Sequence, residues 1–316
     1  MRNLFLLVIG LILIGCAAEL TLNSGRPASG EKNGTLNLVA TTGQINSALL
    51  KLTEGTDSNI KLFCGPGVDP HSFRASTRDI QAMNHADAIF YNGFHLEAKL
   101  SEHLSDTFQS KAWSMSSAFP REYRLQWEEE GEVDPGAPFD PHIWNHLPGW
   151  SMCVKGLSDQ LIHLDPANRE TYQQNCDAYV GEIMDLHRWS QARLKEIPSG
   201  RRYLVSAHDA FNYFAEVYDM KTMAVLGIGN DPEADIKTMR QVADNVCEHQ
   251  VPVIFLETIT NPKVTMALQE ACQARDWDVQ IASHSLYSDD LGESAPYDTF
   301  LGAFKSNVEL ISASLR

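Results

Sequence analysis

The amino-acid sequence predicts an α/β protein of two lobes, each a mostly parallel sheet flanked by helices, joined by one long rigid helix. Three observations lead there. Short β-rich runs alternate with amphipathic segments from Leu36 onward, the pattern of parallel strands with covering helices. A long segment then carries Tyr172, Cys176, Tyr179, Ile183, Leu186 and Trp189 at three- and four-residue spacing, one apolar stripe along a helix. After it, the strand and helix alternation restarts.

In chain order, residues 1–15 read as an export signal, with Arg2 as the positive start and Leu4 to Ile14 as the apolar core. That core is too short to span a bilayer. Leu13-Ile14-Gly15-Cys16 resembles the bacterial lipobox, which implies lipidation at Cys16. Residues 16–34, with Asn23-Ser24-Gly25, Pro27, Ser29-Gly30 and Asn33-Gly34, have the polar, flexible composition of a tether.

The N-terminal lobe is expected over residues 35–160, with strands at Leu36–Thr41, Asn59–Cys64, Ala88–Asn92 and Ala112–Met115. Pro120 to Pro138 interrupts the alternation and carries Glu128-Glu129-Glu130-Gly131-Glu132, which reads as an exposed acidic loop. The linking helix is expected over 161–198. It opens at the capping pair Asp165-Pro166 and closes at Pro198 and Gly200, a span of roughly 45 Å at the usual rise. The C-terminal lobe, 199–316, has strand candidates at Arg202–Ser206, Lys221–Leu226, Val253–Glu257 and Asp278–Ala282.

Composition narrows the function. The 316 residues are 43% hydrophobic and carry a formal charge of −16, from 25 Lys plus Arg against 41 Asp plus Glu. The chain can bury a core, and without a basic run it is not expected to bind nucleic acid. Beyond Cys16, the cysteines Cys64, Cys153, Cys176, Cys247 and Cys272 show no C-x-x-C spacing. Their odd count leaves at least one thiol unpaired, and buried inert thiols are the expected role for most of them.

Asp69-Pro70-His71 returns as Asp140-Pro141-His142. Proline stiffens each turn and biases the residue before it towards an extended backbone, so each histidine is held on a rigid loop, as a metal ligand should be. In an open α/β sheet, ligands bind beyond the carboxyl ends of the strands. His71 follows the second strand, His208 the first strand of the second half and Asp289 the last, while His142 arrives ahead of the linking region. Two ligands per half would meet in the cleft between the lobes.

Gly65 to Phe73, Tyr91 to Glu97, Asp140 to Trp144, Ala207 to Phe214, Ile254 to Glu257 and Leu286 to Gly292 together resemble the zinc- and manganese-binding lipoprotein receptors of bacterial ABC transporters. The resemblance implies that His71, His142, His208 and Asp289 hold Zn²⁺ or Mn²⁺. Neutral imidazoles suit a transition metal and the carboxylate compensates its charge, whereas Ca²⁺ or Mg²⁺ would require oxygen ligands. Asp69, Asp140, Asp209 and Glu257 are candidates to hold the other imidazole nitrogens, with turn or cap roles as the alternative. His146 stands where the family pattern usually has an aspartate, and His284 lies near the last strand end, so either is a candidate accessory ligand. His85, His95, His103, His163, His187 and His249 are expected to be exposed or ordinary packing residues. The segment ahead of His142 lacks the histidine-rich loop of many zinc-specific members.

The resemblance further implies a non-enzymatic monomer anchored through Cys16, on the outer face of the cytoplasmic membrane or in the periplasm, with an ABC permease as partner. A secreted metallohydrolase is the competing class. A catalytic zinc keeps a coordination position open for water, and neither G-x-S-x-G nor H-E-x-x-H occurs. A surface adhesin is the third class, for which no separate adhesive module is visible.

Overall fold

The computed structural model describes residues 34–100, 103–126, 128–129, 132–133, 139–229 and 236–316. The export signal, Cys16 and all of the tether except Gly34 lie outside these residues.

Four parallel strands form the N-terminal sheet: β1 (Leu36–Thr42), β2 (Ser58–Cys64), β3 (Ala88–Tyr91) and β4 (Ala112–Ser114), in the order β2-β1-β3-β4. β1 lies between two neighbours and is buried at all but Asn37, as a strand covered on both faces must be. Between the strands run α1 (Gly43–Leu52) and α2 (Thr77–His85). Thr42 caps α1, and Ser76 with Asp79 forms a reciprocal capping box on α2. Within the predicted acidic loop the backbone makes a short antiparallel hairpin, β5 (Glu128–Glu129) and β6 (Glu132–Val133). The exposure of its side chains lies outside the described residues.

One long helix joins the lobes as expected, but its bounds are narrower than 161–198. A first helix, α3, spans Leu147–Leu164, so Leu161 to Leu164 belong to it. A short turn at Pro166–Asn168 then leads into α4, Arg169–Leu194. Pro148 and the glycines at 149 and 156 mask α3 in the sequence. Both glycines are required by close approach, because a Cβ would lie 2.3 Å from Phe119 at 149 and 2.7 Å from Ala118 at 156. α4, with 26 residues, is about 39 Å long at 1.5 Å per residue.

The C-terminal lobe follows as β7 (Tyr203–Ser206), α5 (Asn212–Tyr218), β8 (Lys221–Ala224), α6 (Ile236–Glu248), β9 (Val253–Glu257), α7 (Pro262–Gln273), β10 (Gln280–Leu286) and α8 (Phe300–Leu315). Its strands pair as two parallel ladders, β7 with β8 and β9 with β10. The final strand continues past the predicted end at Ala282 through Ser283-His284-Ser285. Its register shifts between Ile281 and Ser285, and this polar run hides the strand from a hydrophobic reading.

α4 lies against α1, α3 and α8. One apolar core runs through it, from Leu38 and Trp150 on one side, past Tyr172, Tyr179 and Ile183, to Phe214 and Phe304 on the other. The lobes thus share packed side chains as well as a helix. Ile183 is completely buried in this core. Ile183→Ala is expected to cost about 2–5 kcal/mol, measured by chemical denaturation of the metal-free protein. A loss below about 1 kcal/mol would show that the stripe does not couple the lobes.

Candidate metal centre

Each of the four predicted ligands stands just beyond a strand or on a proline-stiffened turn. His71 follows β2, His208 lies two residues after β7, and Asp289 lies three after β10. At Asp140-Pro141-His142 the Asp140 Oδ1 accepts both the His142 backbone N–H at 2.9 Å and the ring Nδ1–H at 2.8 Å. Asp69 Oδ1 accepts the His71 backbone N–H at 2.8 Å. In both copies the aspartate closes the turn that presents the histidine, which is the physical content of the repeat.

The structure brings all four side chains together and buries them, with one ligand atom from each lying within 4.8 Å of the others. His71 Nε2 is 3.3 Å from His142 Nε2 and 3.3 Å from Asp289 Oδ2, and His142 Nε2 is 3.5 Å from Asp289 Oδ1. His208 Nδ1 is 3.9 Å from Asp289 Oδ2. Bonds of about 2.0–2.1 Å around a tetrahedral ion separate its ligand atoms by about 3.3–3.4 Å. Three of these edges match that spacing, and the fourth is wider. Both Asp289 oxygens and His208 Nδ1 are buried without a hydrogen bond of good geometry, which is unusual for buried polar atoms. A cation is the partner this donor set fits.

Second contacts fix which ring nitrogen faces inward. His142 donates Nδ1–H to Asp140, leaving the Nε2 lone pair for the site. His208 donates Nε2–H to the Ile228 carbonyl at 2.9 Å, so its Nδ1 points inward. The sequence left the Ile228 contact unseen, because a main-chain carbonyl has no residue signature. Glu257 is placed differently from expectation. Its Oε1 accepts the His208 backbone N–H at 2.8 Å, and its Oε2 approaches the inward-facing Nδ1 at 3.4 Å rather than the outer nitrogen. Asp209 is half-buried and forms no ion pair with an imidazole among the described residues. Burial, and then the neighbouring Asp140, push its carboxyl upward.

Electrostatics tie the cluster together. Burial works against a charged His208, but the carboxylates of Asp289 and Glu257 outweigh it and push the imidazole up to about 10. Burial likewise opposes a charged Asp289, yet His208 foremost and then His142 hold its carboxyl well below the usual range. Burial lowers His71 and keeps it neutral. The Asp289 and Glu257 carboxylates around Nδ1 thus favour a proton on His208 in the metal-free site.

Neither accessory candidate joins the site. His146 caps α3, accepting the Gly149 N–H on Nδ1 at 2.9 Å, and burial pushes it down to about 4. His284 is exposed on β10. His187, grouped with the ordinary packing residues, is buried and lies 3.3 Å from the Tyr218 hydroxyl. Of the cysteines, Cys64, Cys153, Cys176 and Cys272 are buried and Cys247 is half-buried, and none is in a disulfide.

The rim also contains contacts with no signal in the motifs. Trp144 Nε1–H donates to the Ser288 carbonyl at 3.0 Å, and Asn145 Nδ2–H to the Ala210 carbonyl at 2.8 Å. These bonds join the His142 turn to the Asp289 and His208 loops. Asp290 bonds to both the Gly65–Phe73 loop and Thr258.

Residues 38–314 match the family model described as ZnuA, zinc-uptake complex component A periplasmic. The chain is 34% identical over 280 residues to the zinc-binding protein TroA of Treponema pallidum, covering 88% of each. It is 29% identical over 306 residues to the manganese-binding lipoprotein MntA of Bacillus subtilis, covering 96% of this chain and 95% of MntA. The solved structure of periplasmic zinc-binding TroA superposes with a TM-score of 0.84 at 33% identity, covering 89% of this chain and 99% of that one. The fold, the strand-end placement of the histidines and these matches agree: the chain belongs to the family of periplasmic zinc-uptake component A proteins.

Proposed function

We propose that this chain is a lipid-anchored receptor that captures Zn²⁺ or Mn²⁺ outside the cytoplasmic membrane and delivers it to an ABC permease. The observation that carries this reading is the convergence of His71, His142, His208 and Asp289 from four loops onto one buried point. His71 Nε2, His142 Nε2, His208 Nδ1 and an Asp289 oxygen are the ligands. Asp140 and the Ile228 carbonyl hold the two outer imidazole nitrogens. Four protein ligands on a small ion suit capture and release rather than hydrolysis, and no observation favours the hydrolase or adhesin alternatives. Nitrogen-rich ligation favours zinc intrinsically, while supply and geometry decide which metal is carried. Anchoring through Cys16 is supported by the lipobox-like sequence and by relatives named as lipoproteins. The shared core along α4 implies release through small hinge changes.

Elemental analysis of the full chain, purified without added metal, tests the reading. It is expected to show about one transition-metal ion per chain, and His208→Ala is expected to lose most of it, as removal of one ligand from a tetrahedral site should. An unchanged metal content in the variant would overturn the site.

A further inference from the structure

Asp289 has a neighbour whose side chain points elsewhere. The Asp290 carboxylate is buried, yet its two oxygens serve different lobes. Oδ2 accepts the Gly67 backbone N–H at 2.8 Å, and Oδ1 accepts the Thr258 hydroxyl. Gly67 belongs to the Gly65–Phe73 loop that presents His71 after β2, and Thr258 directly follows β9 in the other lobe. Gly67 has φ +74°, a backbone conformation that glycine adopts without strain. One side chain thus joins the His71 loop to the C-terminal lobe, one residue from Asp289 and four from His71. Trp144 reinforces the same closure by donating to Ser288.

We propose that Asp290 is the latch of the metal site: it holds the His71 loop against the Asp289 loop and so sets the rate at which a bound ion is released. The inference rests on the metal-receptor reading above. Asp290 touches no ligand atom of the cluster and acts through the loops. Closing the latch and completing the ligand set require the same approach of the two loops, so each favours the other. Opening the site to release metal must break this part-buried, charge-assisted bond. Thr258 makes the coupling directional, because it anchors the carboxylate on the C-terminal side and leaves Gly67 as the contact that parts.

The test uses the full chain. Zn²⁺ release is followed by stopped-flow capture with a chromogenic chelator, and protection of the Gly67 amide by hydrogen exchange in the metal-free protein. Asp290→Ala is expected to raise the release rate roughly 10- to 100-fold, the equivalent of one hydrogen bond to a charged group. Association should change less than threefold, and Gly67 protection should be lost. Asp290→Asn, which keeps an oxygen for Gly67, should restore most of the slow release. Thr258→Val should raise release by a smaller factor with the carboxylate intact. Unchanged release with Gly67 unprotected in Asp290→Ala would overturn the latch, as would equal defects in Asp290→Ala and Asp290→Asn. If the wild-type chain binds no Zn²⁺, the receptor reading fails, and Gly67 exchange still reports whether the carboxylate holds the loop.

Discussion

Replacing Asp289 by alanine is expected to lower Zn²⁺ affinity by roughly 10²–10⁴-fold, the equilibrium equivalent of removing one partner from a buried charge pair. Asp289 is the only carboxylate in the cluster of four among the described residues. It faces all three imidazoles, with oxygens 3.3 Å from His71, 3.5 Å from His142 and 3.9 Å from His208. Without it a divalent ion would sit among neutral rings, shielded from water, with no charge compensation from its ligands. Glu257 is poorly placed to substitute, since its Oε1 is committed to the His208 amide. Asp289→Asn keeps the shape and one oxygen but not the charge, so it should fall between wild type and alanine. Competition against a chelating dye at constant ionic strength measures all three proteins. A loss smaller than tenfold in the alanine variant would mean that the carboxylate is not a ligand.

The four members of this cluster were legible from the sequence for a definite reason. Each belongs to a short motif whose backbone is constrained, by proline at Pro70 and Pro141, or lies just beyond a readable strand, as at His208 and Asp289. The strands themselves were readable because β1, β3, β7 and β9 are apolar and bounded by turn residues. What escaped reading depends on partners distant in sequence. α3 was hidden because Gly149 and Gly156 look like helix breakers until Phe119 and Ala118 are found pressed against them. His146 looked like a spare ligand until its Nδ1 was found on the Gly149 amide. The polar end of β10 lacks hydrophobic periodicity, because Ser283 and His284 face solvent. Asp290 lies beside a predicted ligand in a motif already singled out, but only the fold shows that its partner is Gly67, 223 positions away.

The charge state of the site before metal binds should reveal itself as opposite pH trends in the free and metal-bound protein. Paired with Asp289 and Glu257, His208 is raised from 6.5 to about 10. Its contribution to folding is full below the unfolded value near 6.5 and drains away as pH climbs towards 10. Asp289 is lowered, so its contribution is present above the ordinary carboxylate value and is lost only as pH falls through its folded value. The metal-free protein should therefore lose stability as pH rises from about 7 towards 10, where the unfolded chain has shed the His208 proton that the folded site still holds. Metal binding runs the other way, because the ion displaces that proton from Nδ1. Over the same interval Zn²⁺ affinity should rise about tenfold per pH unit, and calorimetry in buffers of different ionisation enthalpy should report about one proton released per ion. His71 adds nothing to that count, since burial already keeps it neutral. The rise in Tm on adding Zn²⁺ should accordingly widen with pH. A flat affinity together with zero proton release would show that His208 is neutral before the metal arrives, and that the buried pair with Asp289 is not the state the ion replaces.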